Sequence, residues 1–153
     1  MNKMKTYYHV SREIHKEIQI FVPKIPNSFL VTGNENRCIK RVCVSEHIIE
    51  CMNAINYYAD KDMYDPLSET YKPLRVYKFE LDEREVVPPE EVYQQGVHDA
   101  IINKECWVLN EVRPTKTFII QPTYLATGNI SPIHIAYMDF EIVDEDLNVV
   151  EPE

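Results

Sequence analysis

The chain has 153 residues and 18.0 kDa, 44% of them hydrophobic and 27% charged, which fits one folded domain and excludes a disordered chain. Its three glycines, Gly33, Gly96 and Gly128, lie far apart, so a G-x-G-x-x-G phosphate loop is excluded, while ten tyrosines and ten prolines are unusually many. The net charge of -9 is uneven, +2 over residues 1–60 and -11 over residues 61–153, and offers no basic stripe for general nucleic-acid binding.

In chain order, residues 6–10, rich in aromatic and β-branched side chains, predict a first strand. Residues 18–22 predict a second, stopped by Pro23 and Pro26. Turn chemistry follows at residues 32–36. Residues 41–44 predict a short buried strand, and Ser45 the N-cap of a helix, with Glu46 favourable in its first turn. The apolar stripe of Ile48, Met52, Ile55 and Ala59 predicts one substantial helix over residues 46–59.

Residues 60–74 predict a loop. The alternation of Tyr77, Phe79 and Leu81 with Lys78 and Glu80 predicts a half-exposed strand over 75–81. Residues 88–94 predict a short helix with proline in its first turn, closed by Gly96. Residues 106–112 are apolar on both faces and predict a strand central in its sheet. Strands are also predicted over 116–121 and 136–142, the latter with Ala136, Met138, Phe140 and Ile142 on one dry face. The sum is an α+β fold of small, mostly antiparallel sheets with one main helix. It forms a single domain over residues 1–143, followed by an acidic tail over 144–153.

No apolar run approaches about 20 residues, so no membrane-spanning helix is expected. The opening residues lack the apolar core of a signal peptide, which points to the cytoplasm. There the four cysteines are expected as thiols, and without any C-x-x-C pair or second ligand pair beside Cys43 and His47 no zinc site is expected.

Three polar residues are candidates for chemistry: His9 within the first strand, Ser45 between strand and helix, and Glu105 opening the central strand. Each also has a plain reading, as a core histidine, a helix cap and an exposed strand-end acid. Glu111 shares the face of Glu105 and is an alternative acid.

In order, "YYHVS", "RVCVSEHIIECMNAI", "VYKFEL" and "KECWVLNEVRPTKTFII" resemble the ADP-ribosyltransferase-like superfamily. Its members include ADP-ribosylating toxins, rifampin ADP-ribosyltransferases, RNA 2'-phosphotransferases and small bacterial domains of unassigned activity. The resemblance covers about residues 5–121. It implies NAD bound as substrate, without a glycine-rich loop, in a cleft between two small antiparallel sheets. It also implies cleavage of the nicotinamide glycosidic bond, by transfer of ADP-ribose to a protein target or by hydrolysis.

On that resemblance, Glu105, His9 and Ser45 are the catalytic residues. Glu105 stabilises the oxocarbenium-like charge, while His9 hydrogen-bonds the ribose next to nicotinamide or the adenosine side and Ser45 positions that ribose or the nicotinamide amide. Tyr8 and Tyr58, or Tyr7 and Tyr57, supply an aromatic wall, and Arg12 or Arg41 a phosphate contact. The sequence departs from the family's pattern in having Asn103 two residues before Glu105, no Ser-Thr-Ser triplet, and Val10-Ser11 rather than Gly-Thr after His9. Two rival readings stand beside it: a non-catalytic bacterial or phage interaction module that binds a partner through its acidic face, and an RNA 2'-phosphotransferase-like enzyme.

Overall fold

The computed structural model describes residues 3–25, 38–58, 60–97, 100–128 and 134–150. Strands β1 (Met4–Ser11), β5 (Leu74–Asp82), β8 (Lys116–Thr127) and β9 (Ile135–Val143) form an antiparallel sheet in the order β1-β5-β8-β9. Strands β2 (Val42–Val44), β7 (Cys106–Val108) and β6 (Val86–Val87) form a second antiparallel sheet with β7 in the centre, and β3 (Tyr64–Asp65) pairs with β4 (Thr70–Tyr71). The helices are α1 (Ile48–Ala54), α2 (Pro89–Gln94) and α3 (Ala100–Asn103), none long and apolar enough to cross a membrane. The fold is α+β, as the alternating and helical patterns predict. The expected turn at residues 32–36 lies outside the described residues.

The two sheets meet at one seam. Tyr8 of β1 pairs with Ser45 at the end of β2, the Tyr8 N–H donating to the Ser45 carbonyl at 2.7 Å and the Ser45 N–H to the Tyr8 carbonyl at 3.0 Å. Helix α1 covers one face of the large sheet, packing Cys51 and Met52 against Val10, Leu74, Val76 and Ile120. The other face packs on the small sheet, where Tyr7, Tyr77 and Phe79 meet Val42, Val44, Cys106 and Val108.

β5 therefore has neighbours on both sides and cover on both faces. The half-exposed strand expected there is instead largely buried, with Tyr77 and Phe79 toward the small sheet and Leu74 and Val76 toward α1. Met52 is fully buried in the α1 core, so Met52→Ala is expected to cost about 2–5 kcal/mol. A urea-unfolding midpoint lowered without a change in slope checks this.

Four further expectations are corrected. The segment 18–22 is not a strand: only Phe21 pairs, with Val112, because the Ile18 N–H donates to the Tyr77 hydroxyl at 3.0 Å instead of joining a ladder. Ser45 is not the helix cap, since its backbone is committed to Tyr8. His47 holds that position without a side-chain cap bond.

The helix ends at Ala54 rather than near 59. Asn56 takes φ 55°, and the Tyr57 N–H reaches back to the Met52 carbonyl at 3.0 Å, a Schellman turn that buries Tyr57 against the same core. In β9 the buried residues are Ile135 and Met138, in the α1 core, and Val143, on the opposite face, while Ala136, Phe140 and Ile142 are exposed. Register shifts between Pro122 and Tyr124 and between Ala126 and Thr127 break the alternation.

Two other segments also differ in detail. The expected loop of residues 60–74 carries the β3–β4 pair. Residues 144–150, within the expected acidic tail, fold back on β9 through a Val143–Val149 bridge, and Glu145 pairs with Arg75 at 3.1 Å.

Candidate active site

The seam between the sheets holds a cleft lined by His9 and Val10 of β1, Cys43 and Val44 of β2, Ser45, Cys51, Ala54 and Ile55 of the helix region, and Glu105. His9, Ser45 and Glu105, drawn from three separate stretches of chain, thus share one cavity. Its volume is about 50 Å³, room for a few water molecules and far below the roughly 300–1,000 Å³ of small-molecule sites.

Glu105 owes its place to a turn that the sequence conceals. Lys104 adopts φ 50° and the Glu105 N–H donates to the Ala100 carbonyl at 3.0 Å, so α3 ends in a Schellman turn that delivers Glu105 to the start of β7. Its Oε2 accepts the indole N–H of Trp107 at 2.8 Å. Trp107 is itself almost fully buried, and the Arg41 guanidinium lies over its ring at 4.2 Å. The carboxylate is therefore held by a stacked Arg41–Trp107 unit. Sequence reasoning missed Trp107; its i, i+2 spacing from Glu105 on a strand, which puts both on one face, was the available signal. Glu111 lies beyond the end of β7, exposed and outside the cleft.

Ser45 is buried, and its hydroxyl donates to the carbonyl of Asn103, in the turn that precedes Glu105, at 3.4 Å. The hydroxyl thereby ties β2 to the Glu105 turn.

His9 packs edge-on to Phe21 at 5.0 Å between ring centroids, and its Nδ1–H donates to the Cys43 carbonyl at 2.9 Å. Burial holds its pKa below the ordinary 6.5, against the opposing pull of the Cys43 carbonyl and assisted by the positive charge of Lys24. At neutral pH the ring is then uncharged, with Nε2 left as an acceptor. The unfolded chain takes up a proton near 6.5 that the folded ring refuses, so this contribution to stability is complete above that pH and is lost as pH falls below it. His9→Gln is expected to lose less stability than the unsubstituted chain between about pH 7.5 and pH 5, read from urea midpoints at both.

The remaining proposed contacts are divided. Arg12 is exposed; its guanidinium donates to the Ile55 carbonyl at 2.8 Å and pairs with Asp60 at 3.2 Å, on the helix side of the cleft. Arg41, under Trp107, is buried away from solvent. Tyr8 packs into the α1 core on the face of β1 opposite His9, and Tyr7 is buried between the sheets. Tyr57 and Tyr58 line a different hollow.

Cys51 borders the cleft, but burial pushes its thiol up to about 12 and the Sγ donates to the Tyr8 carbonyl at 3.1 Å, so it is not a nucleophile at neutral pH. Among the described residues no group of three His, Cys, Asp or Glu side chains is placed to hold a metal ion.

The arrangement offers one fixed carboxylate, one neutral imidazole acceptor and one buried hydroxyl around a small, largely apolar space. No protein-family model, curated protein or solved structure matches the chain.

Proposed function

We propose that the chain binds NAD or a related nucleotide at the seam of its two sheets and cleaves the nicotinamide glycosidic bond, in the manner of the ADP-ribosyltransferase-like enzymes it resembles. The observation that carries this reading is the convergence of His9, Ser45 and Glu105, separated by 36 and 60 positions in the chain, on one cleft. In the reaction the bond from the ribose C1' to the nicotinamide nitrogen breaks, and its electron pair leaves with neutral nicotinamide. The cationic ribosyl group takes an oxygen from water or an acceptor hydroxyl, which releases a proton.

On this reading the Glu105 carboxylate, fixed by the Trp107 indole, supplies the negative charge that stabilises that cation. The neutral Nε2 of His9 is suited to accept a ribose hydroxyl, and Ser45 to orient the same sugar. At about 50 Å³ the cleft does not contain a nucleotide as it stands, so binding on this reading is coupled to a widening of the seam. Arg12, at the helix side, is the arginine suited to a phosphate once its pairing with Asp60 is exchanged.

The test is release of nicotinamide from NAD by the full chain and by Glu105→Gln. Steady release that depends on Glu105 supports the reading; equal release by both, or none at high protein concentration, overturns it.

A second reading is favoured by a separate observation. β9 is an edge strand whose exposed side chains mix Tyr137, Phe140 and Ile142 with Asp139 and Glu141. An interaction module would use this acidic, partly apolar strand to engage a basic partner. On that reading Asp139→Lys with Glu141→Lys abolishes partner capture and leaves nicotinamide release untouched.

A further inference from the structure

The tyrosine content has a spatial explanation that the cleft does not use. Tyr57, Tyr58, Tyr64 and Tyr71 line a hollow of about 540 Å³ beyond the end of α1, well inside the size range of about 300–1,000 Å³ for small-molecule sites. Tyr124 lies within electrostatic reach of Tyr71, and Tyr137 stands 6.3 Å from Tyr124, so six of the ten tyrosines gather in this region.

The rings of Tyr64 and Tyr71 are 4.9 Å apart with their planes tilted by 46°. They form an open V rather than a closed stack, which leaves ring surface for a third partner. Tyr58 and Tyr64 are 43% and 40% exposed, so part of each side chain is open to a ligand entering the hollow.

The charges decide what kind of ligand fits. The lining carries one acid, Asp60, and one base, Lys61. Asp60 is already paired with Arg12 at 3.2 Å and accepts the Asp62 N–H at 2.9 Å. An organic cation in an aromatic box wants an unneutralised carboxylate beside the rings, and the single acid of the lining is paired with Arg12. An anion wants several converging cations, and the lining brings only Lys61. Aromatic faces with balanced polar groups at the rim suit an uncharged planar ring with hydrogen-bonding edges.

We propose that this hollow is a binding site for a planar, uncharged heteroaromatic ring of nucleobase type, held between Tyr58 and the Tyr64–Tyr71 pair. The site stands on its own lining and does not depend on chemistry at Glu105. If the cleft acts on a dinucleotide, the hollow is the place for a second ring on the helix side of Arg12, whose guanidinium touches the Ile55 carbonyl of the cleft and the Asp60 carboxylate of the hollow.

The experiment is calorimetric titration of adenosine, ribose and choline separately into the full chain and into Tyr58→Ala, Tyr64→Leu, Tyr64→Phe and Glu105→Gln, with circular dichroism to confirm each fold. Adenosine is expected to bind saturably and ribose and choline not. Tyr58→Ala and Tyr64→Leu should each weaken adenosine about tenfold, while Tyr64→Phe keeps the ring and restores binding and Glu105→Gln changes nothing. Absence of adenosine binding, a preference for choline, affinity indifferent to both tyrosine truncations, or loss of binding on Glu105→Gln would each overturn the proposal. Failure of nicotinamide release with these results intact would sink only the reading of the cleft.

Discussion

Glu105→Gln is expected to lower nicotinamide release from NAD by about a hundredfold or more, the scale seen when one preorganised electrostatic contact to a developing charge is removed. Glutamine keeps the size of the side chain and an oxygen that can still accept the Trp107 indole N–H, which Glu105 Oε2 accepts at 2.8 Å. What it removes is the negative charge. The change should therefore appear in kcat with little movement in KM, because a contact that matters mainly in the transition state does little for ground-state binding. Thermal unfolding within a few degrees of the unsubstituted chain shows that the loss is chemical. A rate within twofold of the original would mean that the carboxylate does not stabilise the reacting ribose.

The largest stability effect is expected at Trp107, which is 1% exposed between α2, α3 and the small sheet. Trp107→Ala removes the largest fully buried side chain and should cost about 3–5 kcal/mol, a large share of the roughly 5–15 kcal/mol that holds a domain folded. It also strips the aromatic face from the Arg41 guanidinium that lies over it at 4.2 Å. A melting temperature lowered by about 10 °C, or failure to fold, is the expected result. Trp107→Phe separates the two roles of this residue. It keeps an aromatic face for Arg41 and most of the packed volume but deletes the N–H that holds Glu105. Its fold should survive while kcat falls, with KM nearly unchanged. If Trp107→Phe releases nicotinamide at the original rate, Trp107 is packing alone and does not position the carboxylate.

What was legible in the sequence and what was not divides along physical lines. Local patterns that report one face of one element carried through: the first strand, the proline-started α2 closed by Gly96 at φ 94°, and the central place of β7 in its sheet, although that strand stops at Val108 rather than 112 and Leu109 to Glu111 are exposed. His9, Ser45 and Glu105 stand out in the sequence because each sits at a strand or strand end, and antiparallel pairing brings those distant positions to one cleft.

The failures have a common cause, a contact from far along the chain that overrode a local preference. Ser45 has the chemistry of a cap, yet pairing with Tyr8 across 37 positions commits its backbone to the seam. Ile18 has strand propensity, yet the Tyr77 hydroxyl takes its N–H. The alternation in β5 implied a wet face, and only the packing of α1 on one side and the small sheet on the other makes both faces dry. Neither left-handed turn, at Asn56 and at Lys104, announces itself with glycine. These two turns set the walls of the cleft, one by ending α1 at Ala54, just before Ile55, and the other by delivering Glu105. Trp107 reads in sequence as an apolar strand residue, yet its indole N–H donates to the Glu105 carboxylate.

The acidic half of the chain also takes a different meaning in three dimensions. Its charge is not all at a trailing end: Glu145 anchors the fold-back of residues 144–150 onto Arg75, and Asp82 is clasped by Arg84 at 2.7 Å. Asp139 and Glu141, both exposed on β9, define the surface on which the rival interaction reading rests.

The most direct measurement is an NMR titration of the isotopically labelled chain with NAD, following the backbone amides. Binding at the seam predicts that the largest shifts fall on His9 and Val10, on Cys43 to Ser45 and on Glu105, three groups joined only by the cleft, and that Arg12 moves with them. Shifts confined to β9 and its acidic turn, or no shift at millimolar NAD, would contradict the claim that these residues form a nucleotide site.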